Sequence, residues 1–302
     1  MESSVRIGTP PPEQIETALQ LVFRDQSPEE RAQHVALIRQ QAGDTEGLWG
    51  ATRDGQLLGA VFSQLIPGRV GTIWPPRVEP SADDGIAGAL LRLACEQLRE
   101  RGATLVQCLL REVLPADLEL LSVAGFQHFA DLFYLVSQAA DFPQTLPSTE
   151  LEFQPYSRSI HDRFAAAVEA TYEATQDCPR MNGLRAIEDV LTGYRGAGEF
   201  DPTRWLLVSH HGRDIGCLIL ADYPEQSNYE LVYMGVIPGA RGHAWGKVIT
   251  QYAQWRAGQA GRERLVLAAD TMNGPGLRMY AEAGFRAWDR RTVLIRIFER
   301  PG

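Results

Sequence analysis

The stretch Val236-Ile237-Pro238-Gly239-Ala240-Arg241-Gly242-His243-Ala244-Trp245-Gly246-Lys247 leaves an apolar strand pattern, turns through small residues and enters a helical pattern. A turn of that kind binds anions. The first amide N–H groups of a helix have no intrahelical acceptor and carry partial positive charge, so they can point at phosphate oxygens. Gly242, Ala244 and Gly246 keep side chains out of the way, while Arg241, His243 and Lys247, the only lysine of the chain, bring donors to the same turn. A pyrophosphate fits such a turn; so does the plainer reading of a tight loop with solvated basic residues. A Walker A loop does not fit, because it needs glycine where Arg241 stands and a hydroxyl where Val248 stands.

Downstream, Asn273-Gly274-Pro275-Gly276-Leu277-Arg278-Met279-Tyr280-Ala281-Glu282-Ala283-Gly284-Phe285 reads as a short helix with Asn273 at its N-cap and Gly284 at its stop. Asn273 and Tyr280 stand two helical turns apart, so both can face one groove. The plain alternative makes Tyr280 a core aromatic and Asn273 only a cap.

Outward from these motifs the chain divides nearly in half at Ala139 to Glu150, a segment with turn chemistry and no periodicity. The halves repeat one pattern. In the first, strands Leu48 to Thr52 and Leu57 to Gln64, a helix Asp84 to Arg101, a strand Thr104 to Leu110, a helix Ala116 to Ala124 and a strand Phe129 to Ser137 follow in order. In the second, strands Trp205 to Ser209, Ile215 to Leu220 and Glu230 to Val236, a helix Ala244 to Arg256, a strand Arg264 to Ala268, a helix Pro275 to Ala283 and a strand Arg291 to Phe298 match it. Aligning Val78-Glu79-Pro80 with Val236-Ile237-Pro238 sets Asp83 and Asp84 against Arg241 and Gly242. Aligning Gly125-Phe126 with Gly284-Phe285, one residue out of step, sets Leu121 against Tyr280. Carboxylates repel phosphates and leucine has no proton to give, so the first half should not catalyse.

Length and composition agree with two packed domains: 302 residues, 44% hydrophobic and 22% charged, which excludes a disordered or fibrous chain. The formal net charge of −9 has the wrong sign for coating nucleic acid or an anionic membrane. No run of 18 apolar residues occurs and Met1 to Pro12 lacks the layout of a secretion signal, so the expected place is the cytoplasm. Cys95, Cys108, Cys178 and Cys217 show no metal-like spacing, and His210 and His211, adjacent on a strand, should point to opposite faces; no metal is expected.

Taken in order, Val-x-Pro-x-x-Arg-Gly-x-Ala-x-Gly and Asn-x-x-x-x-x-x-Tyr-x-x-x-Gly-Phe resemble the GCN5-related N-acetyltransferase (GNAT) family. Among its two-unit members the chain looks most like the mycothiol synthase type, through Phe200-Asp201-Pro202 before a strand and Glu230 eight positions before Pro238. The resemblance implies a mixed α/β (α+β) fold of two tandem GNAT-like units, each a strongly twisted mixed sheet flanked by helices, with residues 1–140 a degenerate unit and 150–302 the catalytic one. It implies acetyl-CoA as cosubstrate. The turn Arg241, Gly242, His243, Ala244, Trp245, Gly246 and Lys247 would hold its pyrophosphate, backbone groups from Met234 to Val236 its pantetheine, and Asn273 would touch it. Tyr280 would stand beside the sulfur as acid and Glu230 would serve as base, through a water, or instead bind the acceptor's cation; the plain alternative makes Glu230 an exposed strand carboxylate.

The implied acceptor is a small-molecule primary amine, not nucleic acid or membrane, and a homodimer is left open. Its cleft should involve Ile160 to Thr175 and the turn Gln176 to Met181, with Tyr172, Asp177 and Arg180 as suggestions. A noncatalytic acyl-CoA sensor or scaffold is the alternative from another class.

Overall fold

Two hairpins set the pattern of the fold. Asp54-Gly55 and His211-Gly212 both take positive φ (51° and 77°, 49° and 72°), the backbone of a tight two-residue turn whose twist matches the flanking strands. Arg53 therefore pairs with Gln56, and His210 with Arg213.

The computed structural model describes residues 4–40, 46–80, 82 and 85–298. In chain order the strands and α-helices among them are β1 (Arg6–Gly8), α1 (Ile15–Val22), α2 (Pro28–Gln40), β2 (Leu48–Arg53), β3 (Gln56–Ile66), β4 (Val70–Ile73), β5 (Arg77–Val78), α3 (Ile86–Glu100), β6 (Leu105–Leu110), α4 (Pro115–Val123), β7 (Gln127–Gln138), β8 (Leu151–Pro155), α5 (His161–Thr171), α6 (Ile187–Arg195), β9 (Trp205–His210), β10 (Arg213–Tyr223), β11 (Asn228–Val236), α7 (Trp245–Gln259), β12 (Arg264–Asp270), α8 (Gly274–Glu282) and β13 (Arg286–Ile297). The expected mixed α/β class is the one observed. The composition pattern had not announced α1, α2, β1, β8 or α6.

The chain forms two compact units, Met1–His128 with Val293–Gly302, and Phe129–Thr292. Against the expected division at 140 and 150, β7 from Phe129 onward falls in the second unit and β13 from Val293 onward in the first. In the second unit β7 runs antiparallel to β12, with Leu135 opposite Leu267 in the core. In the first, Leu294 is buried among Leu90, Leu98 and Val106, and the Phe298 amide donates to the Thr104 carbonyl. Alternating apolar residues determine that a strand forms and which face it buries; they do not name its neighbour.

In the second unit the sheet order is β13-β7-β12-β11-β10-β9-β8. Ile249, Ala253 and Ala257 of α7 cover one face, on Leu218, Leu220, Leu265 and Leu267. Phe164 and Val168 of α5 and Leu191 of α6 cover the other, on Trp205, Leu207, Cys217 and Ile219. The amphipathic stripes of these helices, apolar at three- and four-residue spacing, find their apolar partner on the sheet.

Asp83 and Asp84 lie outside the described residues, but the first unit carries another departure. Arg77 donates two parallel hydrogen bonds to Asp117, at 2.7 and 2.9 Å, and a third to Asp25. In the repeat alignment Arg77 stands where the second unit has Gly235, and Asp117 where it has Gly276. A largely buried ion pair occupies positions that the other copy leaves bare. Leu121, fully buried, replaces the tyrosine. Asp117→Asn should destabilise the first unit by about 2 kcal/mol, since it leaves the largely buried guanidinium with only the half-exposed Asp25 as charged partner, whereas Arg77→Met with Asp117→Leu should be close to neutral. Urea unfolding of the three proteins checks this.

Candidate active site

The site begins where two strands part. β11 and β12 pair in parallel at only three registers, Asn228 with Arg264, Tyr229 with Leu265 and Glu230 with Val266. Beyond them β11 stays with β10 as far as Val236, and β12 stays with β7 as far as Asp270. The facing edges of Leu231–Val236 and Leu267–Asp270 are left without each other, so a wedge opens. The β10–β11 register slips between Ile219 and Leu220, leaving Val232 without a partner. This bulge turns both Val232 and Tyr233 toward α5 and α6, and Met234 and Val236 back toward α7.

At the end of β11 the chain passes through Gly242 (φ 86°) and Ala244 (φ 58°) before α7 begins. Among the described residues, none of the backbone amides of Gly242, His243, Ala244, Trp245 and Gly246 has an acceptor; the Lys247 amide is the next to find one, the Ala244 carbonyl. Left-handed residues alternating with others at a helix start form a nest of N–H groups that binds anions.

Arg241 is used differently from the expectation of a phosphate ligand. Its guanidinium donates to the carbonyls of Val236 (2.9 Å), Ala174 (2.9 Å), Thr171 (3.0 Å) and Glu173 (2.8 Å). It thus caps the C-terminal carbonyls of α5 and ties them to β11. The same junction requires Gly235, where a Cβ would meet Thr171 at 2.5 Å. Lys247 pairs with Glu282 at 3.0 Å on the surface, and the exposed His243 ring lies near that of Trp245.

A cavity of about 210 Å³ follows the wedge and gathers six of the expected residues: Met234, Val236, Arg241, Gly246, Asn273 and Tyr280. Gly242, His243, Ala244, Trp245 and Lys247 belong to the turn and helix start beyond it. Asn273 does cap α8, accepting from the Gly276 amide at 3.1 Å. Tyr280 is buried against Phe285, and no described residue engages its hydroxyl. Burial, and then the charge of Asp177, push that phenol well above its ordinary range, so it stays protonated.

A second cavity, of about 270 Å³, opens on the α5–α6 side, with Tyr172, Tyr194, Tyr233, Asp177, Cys178 and Arg185 in its wall. Asp177 and Tyr233 line both cavities. Glu230 lines neither. It sits at the last paired register, beneath the wedge, where its carboxyl is raised by burial against the opposing hydrogen bond from Tyr223. The Cys178 thiol is pushed up to about 12 by burial and by the charges of Asp177 and Asp270, so it is no thiolate nucleophile at neutral pH.

One further cluster contradicts a sequence expectation. His211 is the left-handed residue of its turn, not a strand residue, so His210 and His211 do not point apart: their rings lie 4.0 Å from each other. With Glu150 they bring three candidate ligand atoms within 4.8 Å. Two of the three residues are exposed, and Glu150 already pairs with His210 at 3.1 Å.

Comparison with known proteins bears on the same region. The model of the acetyltransferase (GNAT) family matches residues 168–285. The mycothiol acetyltransferase of Thermomonospora curvata is 32% identical over 93 residues, which are 30% of this chain and 31% of that protein. The match therefore spans about a third of the relative's length. Among solved structures, the GCN5-related N-acetyltransferase of Sphaerobacter thermophilus aligns with a TM-score of 0.62 at 18% identity, over 97% of this chain and 95% of that one. A tandem GNAT protein from the clavulanic acid biosynthesis pathway aligns with a TM-score of 0.54 at 14% identity, over 97% and 98%. These likenesses extend the fold over both halves of the chain. No helix among the described residues is long and apolar enough to cross a membrane. The wedge, the amide nest and the tyrosine thus lie within the residues that match the acetyltransferase (GNAT) family model, 168–285.

Proposed function

We propose that the second unit transfers an acetyl group from acetyl-CoA to the primary amine of a small molecule. The observation that carries this reading is the row of amides from Gly242 to Gly246, unsatisfied within the protein, at the mouth of a cavity floored by Tyr280. The diphosphate would take those amides, and the pantetheine arm would lie along Met234 to Val236 as an added strand. Arg241 acts in this scheme as a positioning residue that fixes the turn.

The neutral amine attacks the thioester carbonyl carbon, and an edge amide of β11, that of Val236 in this scheme, holds the oxyanion. Collapse breaks the C–S bond, and Tyr280 gives its proton to the departing thiolate. Glu230 takes the amine's proton through water standing in the wedge; its burial makes the carboxyl more basic than an ordinary glutamate. The raised thiol of Cys178, the cysteine that lines the acceptor cavity, favours direct transfer over an acyl-enzyme. The four free cysteines suit the cytoplasm, where thiols stay reduced. The first unit acts as scaffold, its Arg77–Asp117 pair standing where a donor would lie.

Four outcomes are expected. Tyr280→Phe should lower kcat about 100-fold and leave the Kd for acetyl-CoA within threefold; an unchanged kcat removes the acid from the scheme. Because Glu230 must be ionised to accept a proton, kcat should rise with pH through an apparent pKa above the usual carboxylate range, and Glu230→Gln should flatten that rise. Arg241→Met should weaken acetyl-CoA binding at least tenfold and destabilise the fold by about 2 kcal/mol. Lys247→Met, which removes only a surface pair, should change stability by less than about 0.5 kcal/mol. Steady-state kinetics, calorimetric titration and urea unfolding read these values.

A further inference from the structure

We infer that Asp177 and the tyrosines beside it form a docking site for an alkylammonium group, so that the acceptor arrives positively charged and releases one proton to solvent before it attacks as the neutral amine. The inference rests on the acetyl-transfer reading for its place in the reaction, but not for its chemistry.

Asp177 stands at the junction, lining both the cavity that holds Tyr280 and the larger one beside it. A turn residue would ordinarily be free to move; this one is held. Its Oδ1 accepts from the Asp270 amide at 2.8 Å. The next residue, Cys178, takes a left-handed φ of 46° and its amide donates to Asp270 Oδ2 at 3.1 Å. A carboxylate fixed in this way offers a second oxygen in a constant position.

The neighbouring walls suit the same guest. Tyr233, which also faces both cavities, has its ring 5.2 Å from Tyr172 and 5.3 Å from Tyr194. The hydroxyls are engaged elsewhere, Tyr172 with Tyr194 at 2.5 Å and Tyr233 with Thr171 at 2.7 Å. What remains for a ligand is largely aromatic surface, and aromatic faces beside a carboxylate attract a desolvated cation.

The cavity also has a cation of its own, Arg185, which donates to the Asp189 carbonyl at 2.7 Å. Burial lowers the Arg185 guanidinium below its ordinary range, against the opposing charges of Tyr194, Tyr172 and Asp189. Burial and the neighbouring Asp270 raise the Asp177 carboxyl, and an incoming cation relieves that repulsion.

Hexylamine, cationic at neutral pH, and 1-hexanol, its neutral counterpart of the same shape, provide the probes. Calorimetric titration of each into the full-length wild type should give hexylamine at least a tenfold preference. In Asp177→Asn, which keeps an oxygen for the Asp270 amide, that preference should shrink to within twofold, with the Kd values for 1-hexanol and acetyl-CoA unchanged, and Asp177→Glu should restore part of it. A preference that survives Asp177→Asn overturns the inference. So does a variant that loses both probes and acetyl-CoA together, since that is the mark of a structural residue. If instead the wild type prefers hexylamine through Asp177 but acetylates no amine, the docking site stands and the transfer reading falls.

Discussion

The parting of β11 from β12 after three registers is the constraint from which the rest of the site follows. A parallel pair that continued would satisfy its own amides and close the sheet. Because it stops at Glu230 and Val266, the edge from Leu231 to Val236 is offered to whatever enters the wedge. The bulge at Val232 then divides that edge between two faces, one side chain pair toward α5 and α6, the next toward α7. The open strand ends in the amide nest, and Arg241 holds the tail of α5 against it through four carbonyls. The amides of Gly242, His243 and Ala244 stand in an exposed turn, where an anion can reach them directly.

The two units show how one layout is kept and another use made of it. In the first, β4 and β6 also pair in parallel at three registers, Val70 with Leu105, Gly71 with Val106 and Thr72 with Gln107. Where the second unit places glycines along its cavity, the first places Arg77 and Asp117, joined by two hydrogen bonds. One ion pair thus stands at two positions that glycines occupy in the second unit.

Much of this was legible beforehand, and the failures have physical causes. The small residues from Gly239 to Gly246 and the span from Asn273 to Tyr280 identified the groove, because a tight strand-to-helix turn and a capped helix impose those residue types locally. That β7 from Phe129 onward joins the second unit and β13 from Val293 onward the first was not legible, since alternation does not name a strand's neighbour. Nor could the sequence tell whether the donors of Arg241 go to a ligand or to carbonyls; that depends on where the tail of α5 arrives, about seventy residues earlier in the chain. Asp177 had only its place in a polar turn to recommend it. Its left-handed neighbour Cys178, an uncommon conformation for a residue other than glycine, gave no warning in the sequence.

The central claim, that the open edge and the nest together receive a diphosphate-bearing thioester, is tested most directly by backbone hydrogen exchange with coenzyme A and, separately, with pantetheine. The account predicts that coenzyme A slows exchange from Met234 to Val236 and from Gly242 to Gly246, and that pantetheine, which lacks the diphosphate, protects only the first segment. Exchange from Gly242 to Gly246 that is indifferent to coenzyme A, or protection at the start of α3 in its place, would contradict it.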